Sequence, residues 1–103
     1  MRTYFVYMLA SRPYGTLYIG VTNDLIGRVE RHRAGDGSKV TSKYKVHTLV
    51  WYQLFADICE AIQREKTMKE WPRAWKTNLI EHDNPHWVDL YPSLPGVRPM
   101  TPL

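Results

Sequence analysis

The chain has 103 residues, of which 44% are hydrophobic and four are tryptophan. A chain of this length forms one domain with a modest core, and this composition builds that core without metal or disulfide staples. Fourteen basic against ten acidic residues give a net charge of +4, and the basic residues concentrate in residues 28–47 and 64–76. Such a surface suits phosphate backbones, although a solvated basic face without a partner would carry the same charge.

Cysteine usage and hydropathy exclude several classes of protein. Cys59 is the sole cysteine of the sequence, so a disulfide framework and a cysteine-based zinc site are excluded. Its neighbours Ile58 and Ala61 predict that Cys59 is a small buried hydrophobe. No signal peptide precedes the first strand pattern, and no apolar run has the length that spans a bilayer. These features predict a cytoplasmic protein without a membrane segment.

The first part of the chain predicts two strands and a helix. Residues 3–10 and 16–22 are rich in β-branched and aromatic types, and a turn with proline and glycine separates them, which is typical of a hairpin. Asn23 or Asp24 then caps a helix over about residues 24–34. The spacing of this helix gives it an inner face made of Leu25, Arg28, Val29 and His32.

A basic loop and a third strand follow. Residues 38–46 predict a loop that carries Lys39, Lys43 and Lys45. These lysines are candidates for contacts with a nucleic-acid backbone, because lysine neutralises phosphate charge. Residues 48–55 give the clearest strand pattern in the chain.

The last part of the chain predicts two helices. Asp57 begins the first of them, with Glu60 three residues later as its partner in a capping box. Pro72 ends this helix and starts another as its first residue, which runs to about residue 82. Residues 86–91 then pack back on the core. The apolar positions of the first helix are Ile58, Ala61, Ile62, Met68 and Trp71, and those of the second are Trp75, Leu79 and Ile80.

The predicted element order is β-β-α-β-α-α. Three strands are too few for a doubly wound sheet, so the order predicts an α+β fold in which helices flank a small antiparallel or mixed sheet. Residues 1–91 form the predicted domain. Residues 92–103 contain four prolines and form a predicted extended, irregular tail.

Glu65 is unusual because it lies on the apolar stripe of its helix, between Ile62 and Met68. A carboxylate in that position costs free energy unless it is paired, neutralised or bound to a cation. Two explanations are open. One is an ion pair with a nearby arginine or lysine, and the other is ligation of a hard divalent cation such as Mg²⁺.

Arg28 and His32 project from one face of their helix because they are four residues apart. That face also holds Leu25 and Val29, so both polar side chains are directed towards the edge of the core or a cleft. An arginine there can bind a phosphate with two hydrogen bonds, and a histidine can relay protons. The alternative is a structural arginine whose charged end reaches solvent, beside an inert, hydrogen-bonded histidine.

Tyr7 and Tyr18 lie in the two hairpin strands. Tyrosine in a half-buried strand is commonly a packing residue, but a phenol can also align or deprotonate a water molecule. Gly20 removes a side chain next to Tyr18, which predicts room for the backbone of a substrate. The sequence contains no Gly-rich phosphate loop, no serine-hydrolase elbow and no His-Glu-x-x-His zinc motif, and its four histidines are scattered.

Taken in order, these elements resemble the GIY-YIG nuclease superfamily over about residues 3–91, and the small stand-alone members above all. The first family motif falls on Phe5-Val6-Tyr7, the second on Tyr18-Ile19-Gly20, the family's arginine on Arg28, a histidine of some members on His32, and the metal-binding glutamate on Glu65.

The resemblance implies a three-stranded antiparallel sheet flanked by helices and metal-dependent hydrolysis of DNA phosphodiesters. Glu65 would hold one Mg²⁺ or Mn²⁺, and Arg28 would neutralise charge on the phosphate. Tyr18 would activate or orient the attacking water with help from Tyr7, and His32 would share the proton transfer.

The sequence departs from the family pattern at several positions. Phe5 replaces the glycine of the first motif, where backbone fit is the expected requirement. Val21 stands where some relatives have a lysine, which removes one means of lowering a tyrosine pKa. The late asparagine of several relatives corresponds to Asn78 or Asn84, and the proline that follows Asn84 favours the latter.

Three functions therefore remain open at the level of sequence. The first is a DNA endonuclease, with structured or damaged DNA as candidate substrates. The second is a nucleic-acid-binding module with little or no turnover. The third is an interaction domain that docks through its proline-rich tail. The modest basic surface also favours a protein partner that guides the choice of substrate.

Overall fold

The computed structural model of the chain describes residues 3–35 and 43–96. Its elements are β1 (Tyr4–Ala10), β2 (Leu17–Thr22), α1 (Leu25–Arg33), β3 (Thr48–Phe55), α2 (Ile58–Lys69), α3 (Arg73–Asp83) and a 3-10 helix (Tyr91–Ser93). The predicted order β-β-α-β-α-α is confirmed.

The three strands form one antiparallel sheet in the order β2-β1-β3. The predicted three-stranded antiparallel α+β fold is therefore confirmed. The register pairs Tyr7 of β1 with Gly20 of β2 on one side and with Tyr52 of β3 on the other. Directly paired residues point to the same face of a sheet, so this register decides which side chains share a face with Tyr7.

The central strand β1 is buried on both faces, and its side chains alternate between two cores. Val6 and Met8 belong to the core beneath α2 and α3. Tyr7 and Leu9 belong to the core beneath α1. The first core also contains Ile19, Trp51, Ala61, Met68, Ile80 and Trp87, and the second also contains Leu25, Val29, Val46, Leu49 and Leu94.

Helix α1 begins as the capping pattern predicts, and the cap is Asp24 rather than Asn23. The Asp24 carboxylate accepts a hydrogen bond of 3.1 Å from the Gly27 backbone N–H. This bond satisfies one of the backbone donors that a helix leaves open at its start. Along the predicted inner face Val29 and His32 are fully buried, while Arg28 is partly exposed.

Helix α2 begins at the predicted cap, since the Asp57 carboxylate accepts a 2.9 Å hydrogen bond from the Cys59 N–H. The prediction that Cys59 is buried is wrong, because Cys59 is exposed. The buried residues of α2 are Ala61 and Met68. Two residues turn a helix by about 200°, so Cys59 lies on the side opposite Ala61.

The predicted apolar stripe of α2 is also narrower than its sequence suggests. Ile58 and Ile62 flank the buried line and remain 38% and 37% exposed. Glu65 lies closer to that line, because it follows Ala61 by little more than one turn. The carboxylate is thus on the buried side of the helix while two isoleucines are at its margins.

Helix α3 begins one residue later than predicted, since Pro72 is its N-cap and Arg73 its first residue. After α3 the chain returns to the core as predicted. Trp87 is buried, and the Leu90 N–H donates a 2.8 Å hydrogen bond to the Leu49 carbonyl of β3.

The predicted tail begins with ordered structure. The 3-10 helix Tyr91–Ser93 departs from the extended conformation expected after residue 91, and Leu94 is buried in the core beneath α1. Residues 97–103 lie outside the described part of the chain, as do residues 36–42 of the predicted basic loop. Within residues 3–35 and 43–96, the helices are too short or too polar to traverse a bilayer.

Candidate functional site

Tyr7 lies at the centre of the site and is buried in the core beneath α1. Its hydroxyl is 3.0 Å from Nε2 of His32, which α1 directs inward. With the proton of the imidazole on Nδ1, the Tyr7 hydroxyl donates to Nε2. This bond connects the first strand to the first helix through two side chains that the sequence predicts as catalytic.

Tyr18 joins these two residues from β2. It pairs with Leu9 in the register, so it points to the same face as Tyr7. Its ring centroid is 6.2 Å from that of Tyr7 and 5.0 Å from that of His32. Tyr7, Tyr18 and His32 therefore form one cluster, here called the tyrosine–histidine cluster, built from two strands and one helix.

Burial sets the protonation of two members of the cluster. Desolvation is the largest cause that raises the pKa of the Tyr7 phenol far above its usual range, and Tyr18 raises it further. Desolvation also lowers the pKa of His32, with additional lowering by the Arg28 and His47 charges. At neutral pH Tyr7 is a protonated donor and His32 a neutral acceptor, which leaves the half-exposed Tyr18 as the phenol that can meet a water molecule.

Arg28 lies one helical turn before His32 on α1. Its charge lowers the pKa of both Tyr7 and His32, so the guanidinium is within electrostatic range of the tyrosine–histidine cluster. Among the described residues Arg28 has no carboxylate partner. By contrast, Arg33 on the same helix is bound by Asp89. The Arg28 guanidinium is therefore able to bind a phosphate.

Gly20 has a different role from the one that its position beside Tyr18 predicts. A Cβ atom at Gly20 would lie 2.5 Å from the Tyr7 hydroxyl oxygen. The space above this glycine is therefore filled by the Tyr7 ring. A substrate backbone approaching this part of the sheet would meet the Tyr7 phenol instead of the Gly20 backbone.

Glu65 shows the first of its two predicted arrangements. Its side chain is 15% exposed and forms a 2.8 Å ion pair with Lys69, one turn further along α2. Its charge also raises the pKa of Tyr7, so it lies within electrostatic range of the tyrosine–histidine cluster. The ion pair is distinct from metal ligation, but a carboxylate has two oxygens and can do both.

The residues around Glu65 fit one kind of metal site. In the described ranges no group of three or more histidine, cysteine, aspartate or glutamate side chains could hold an ion. A site at Glu65 would therefore have at most two such side chains among the described residues, with water and phosphate oxygens completing the shell. Mg²⁺ commonly accepts this arrangement, whereas Zn²⁺ in a structural site does not.

The two candidate asparagines have unequal surroundings. Asn84 is buried, and its Nδ2 donates to the carbonyls of Val50 (3.1 Å) and Val88 (2.8 Å). Its Oδ1 accepts a 2.9 Å hydrogen bond from the Val88 N–H. The Asn84 amide is thus occupied by the backbone and connects the segment after α3 to β3. Asn78 is an exposed residue of α3.

The three candidate lysines are only partly described. Lys39 lies outside the described residues. Lys43 and Lys45 are exposed, and the backbone of Lys43 is helical instead of forming the predicted loop. The ammonium of Lys43 lies 5.4 Å from the centre of the Tyr44 ring.

Sequence analysis did not single out Arg64, the residue before Glu65. Its Nε is buried and has no hydrogen-bond partner in the described part of the chain. Its guanidinium lies 5.0 Å from the centre of the Trp71 ring. Trp71 lies two residues beyond the end of α2, so helical spacing gives no signal for this contact.

The fold and this arrangement of tyrosines, arginine and glutamate define a class. Residues 3–78 match the model of the GIY-YIG catalytic domain, and the chain belongs to that family.

Within the family, the chain is similar to small single-domain proteins of the UPF0213 group. It is 35% identical to the UPF0213 protein of Staphylococcus aureus strain Mu3 over 81 residues, which are 79% of this chain and 98% of the relative. The UPF0213 protein of strain Mu50 gives the same values. The solution NMR structure of a UPF0213 protein from Bacillus halodurans is 29% identical with a TM-score of 0.51, covering 80% of this chain and 86% of that one. The predicted resemblance to small GIY-YIG members is confirmed.

Proposed function

We propose that this protein is a divalent-metal-dependent endonuclease that hydrolyses DNA phosphodiester bonds. The observation that supports this most strongly is the convergence of Tyr7, Tyr18, His32 and Arg28 from β1, β2 and α1, with Glu65 of α2 in electrostatic range. Phosphoryl transfer needs a positioned water and cations near the phosphate, and these side chains meet both needs.

In the proposed reaction the protein's side chains divide the work. Arg28 binds a non-bridging oxygen of the scissile phosphate and neutralises the charge that develops on it. Tyr18 accepts a hydrogen bond from the attacking water and orients it. The Tyr7 hydroxyl donates to His32, and this bond fixes both rings around Tyr18. The water oxygen forms a bond to phosphorus as the bond to the 3′ oxygen breaks. The attacking water releases one proton to solvent, and the leaving 3′ oxygen takes up one proton from solvent.

Glu65 is the residue that would hold the metal. Mg²⁺ or Mn²⁺ bound there would supply Lewis acidity at the scissile phosphate and its leaving oxygen. Lys69 is the present partner of the Glu65 carboxylate, so it must share or yield this position when a cation binds. Lys69 is about half exposed, and it can turn into solvent at small cost.

The proposal is tested by cleavage of labelled duplex, single-stranded, flap and branched DNA with Mg²⁺ or Mn²⁺. The wild type is compared with Glu65→Ala and with Lys69→Ala, which removes the other half of the ion pair. We expect Glu65→Ala to abolish cleavage with its fold largely intact, and Lys69→Ala to retain it. Metal-dependent cleavage that survives Glu65→Ala would contradict the assignment of the metal site.

Arg28 has a matched control on its own helix. Arg31 is exposed on α1 and carries the same charge away from the cluster. We expect Arg28→Ala to lower kcat by about a hundredfold or more, in the range found when one donor to a developing oxyanion is removed, with a smaller change in DNA affinity. Arg31→Ala should leave kcat close to that of the wild type. Equal losses in the two variants would show that only overall charge matters.

The second candidate function is a nucleic-acid-binding module with little turnover. It is favoured by one observation, the ion pair that already satisfies Glu65. Salt-sensitive binding of DNA by wild type without cleavage in any metal would support it. Cleavage that begins only when a second protein is added would instead indicate a nuclease whose partner guides the choice of substrate.

A further inference from the structure

Arg64, Trp71 and Trp75 form a surface at the junction of α2 and α3, here called the α2–α3 platform. The Trp71 ring packs on the core beneath α2 and α3 and is partly buried. Trp75 meets it edge to face, with ring centroids 6.0 Å apart. Trp75 is 56% exposed, so most of its indole faces solvent.

Nothing among the described residues explains why the Trp75 indole is left exposed to solvent. An indole is a large apolar surface, and its exposure forfeits a stabilising burial. Trp75 lies near the start of α3, where its ring pairs with the Trp71 ring. An exposed aromatic side chain held by a second one is suited to stacking with a ligand.

The surroundings of the platform are basic. The Arg64 guanidinium lies on the Trp71 ring with its Nε buried and without a partner in the described chain. Lys76, next to Trp75, donates a hydrogen bond to the carbonyl of Lys69. Lys69 in turn pairs with Glu65. Arg64 of the platform directly precedes Glu65, the carboxylate that the proposed function assigns to the metal, in α2. The positive charges of this surface complement a phosphate backbone.

We propose that the α2–α3 platform binds an unpaired nucleotide of the DNA substrate next to the scissile bond. The exposed Trp75 ring stacks on the base, and Arg64 binds the adjoining phosphate. Aromatic stacking accepts any base and requires one that is not paired within a duplex, so the surface selects single-stranded or distorted DNA. This inference rests on the proposed DNA substrate, and it names the class of DNA that the same site would prefer.

The arrangement favours a nucleotide over a hydrophobic peptide as the ligand. A peptide groove would be lined mainly by aliphatic side chains, whereas this surface combines an indole with cations. Proteins that bind single-stranded nucleic acids combine stacking aromatic rings with arginine in this way.

Fluorescence anisotropy with the full-length chain in EDTA tests the proposal without turnover. Two labelled oligomers of equal length are compared, one of thymidine nucleotides and one of abasic nucleotides with the same phosphates. We expect the wild type to bind the thymidine oligomer about tenfold more tightly, as one stacked base allows. Trp75→Leu should remove this difference, and Trp75→Phe should retain most of it. Leu54→Ala, at a comparably exposed apolar residue of β3 (59%), should change nothing.

The Arg64→Ala variant tests the proposed phosphate contact. It should weaken binding of both oligomers alike, because it removes a phosphate contact and leaves stacking in place. A wild type that does not distinguish the two oligomers, or a Trp75→Leu variant that still does, would overturn the proposal. Because no metal is present, failure of the nuclease proposal would appear only in the cleavage assay, and base-dependent binding would stand apart from it.

Discussion

At the scale of single residues, the contact between Tyr7 and Gly20 determines the shape of the site. A methyl group at Gly20 would lie 2.5 Å from the Tyr7 hydroxyl oxygen and 2.6 Å from Cζ, so the ring must move if the glycine is replaced. We expect Gly20→Ala to destabilise the protein by about 1–3 kcal/mol, as overpacking of a tight core does. It should also reduce cleavage, because the bond between Tyr7 and His32 depends on this placement. Urea unfolding and the cleavage assay measure the two effects.

A second variant isolates the cause of the effect of Gly20→Ala. Tyr7→Leu removes the ring that the new methyl group would strike. Adding Gly20→Ala to Tyr7→Leu should therefore cost much less free energy of unfolding than Gly20→Ala alone. An equal cost in both backgrounds would mean that the glycine serves the backbone of β2 and not the Tyr7 ring.

His32 makes stability depend on pH with a defined sign. Burial, followed by the Arg28 and His47 charges, lowers its pKa in the folded protein. The unfolded chain, with histidine near its ordinary pKa of about 6.5, then binds the proton more readily. We expect the free energy of unfolding to fall as pH decreases below about 6.5, down to the lowered pKa. Urea unfolding over this range should show a weaker pH dependence for His32→Gln.

An exposed histidine provides the control for this pH dependence. His86 is exposed after α3, and His86→Gln should leave the slope of stability against pH close to that of the wild type. If His32→Gln kept the full slope, another group would be responsible for it. Cleavage by the folded protein should decline as pH falls through the lowered pKa of His32, since protonated His32 no longer accepts the Tyr7 hydrogen bond.

The site residues differ in how far sequence alone predicts them. Arg28 and His32 follow from helical periodicity, because their spacing and the neighbouring apolar residues fix the face that they share. The contact of Tyr7 with His32 depends on strand register and on helix packing, which span 25 residues of sequence. Gly20 illustrates this limit, since its role depends on which residue of β1 lies opposite it.

At the scale of elements, strands and caps were predictable and helix faces less so. Asp24 and Asp57 cap their helices because a carboxylate satisfies open N–H groups locally. The orientation of α2 is set by the sheet beneath it, which buries Ala61 and leaves Cys59 exposed. Local sequence could not choose between these faces, because Ile58 and Ile62 form an equally apolar stripe.

The segment after α3 is attached to the sheet through Asn84. The three hydrogen bonds of its amide would be lost in Asn84→Ala, leaving the Val50 carbonyl in the core and the part-buried backbone groups of Val88 without these partners. We expect this change to lower the free energy of unfolding by about 2–3 kcal/mol. Asn78→Ala, on the exposed side of α3, should cost less than about 0.5 kcal/mol. Urea unfolding followed by tryptophan fluorescence measures both.

The same pair of variants decides between structural and catalytic roles. If Asn84 is structural, its alanine variant should cleave DNA at the wild-type rate per folded molecule at low temperature. A stable Asn84→Ala protein with abolished cleavage would instead place this asparagine among the catalytic residues.

At the scale of the whole molecule, the candidate site lies around the β1–β2 hairpin, where helices α1 and α2 pack on the two strands. Arg28 and His32 approach from α1, on one face of the sheet, and Glu65 belongs to α2, which packs on the other. The tyrosines of β1 and β2 lie between them. The proposed mechanism therefore requires a substrate phosphate to contact side chains from both layers.

With a net charge of +4, the proposed binding to DNA would depend on a small number of phosphate contacts. We expect the logarithm of the binding constant to fall linearly with the logarithm of salt concentration, with a slope of about −0.9 for each phosphate neutralised. The exposed Lys43 and Lys45 are predicted to make two of these contacts. Replacing both with glutamine should make the slope shallower by about 2 and weaken binding to all sequences alike. Salt titrations of an anisotropy assay measure both quantities. A slope that is unchanged in the double variant would show that DNA contacts other basic residues, and Arg28 and Arg64 would then carry the binding.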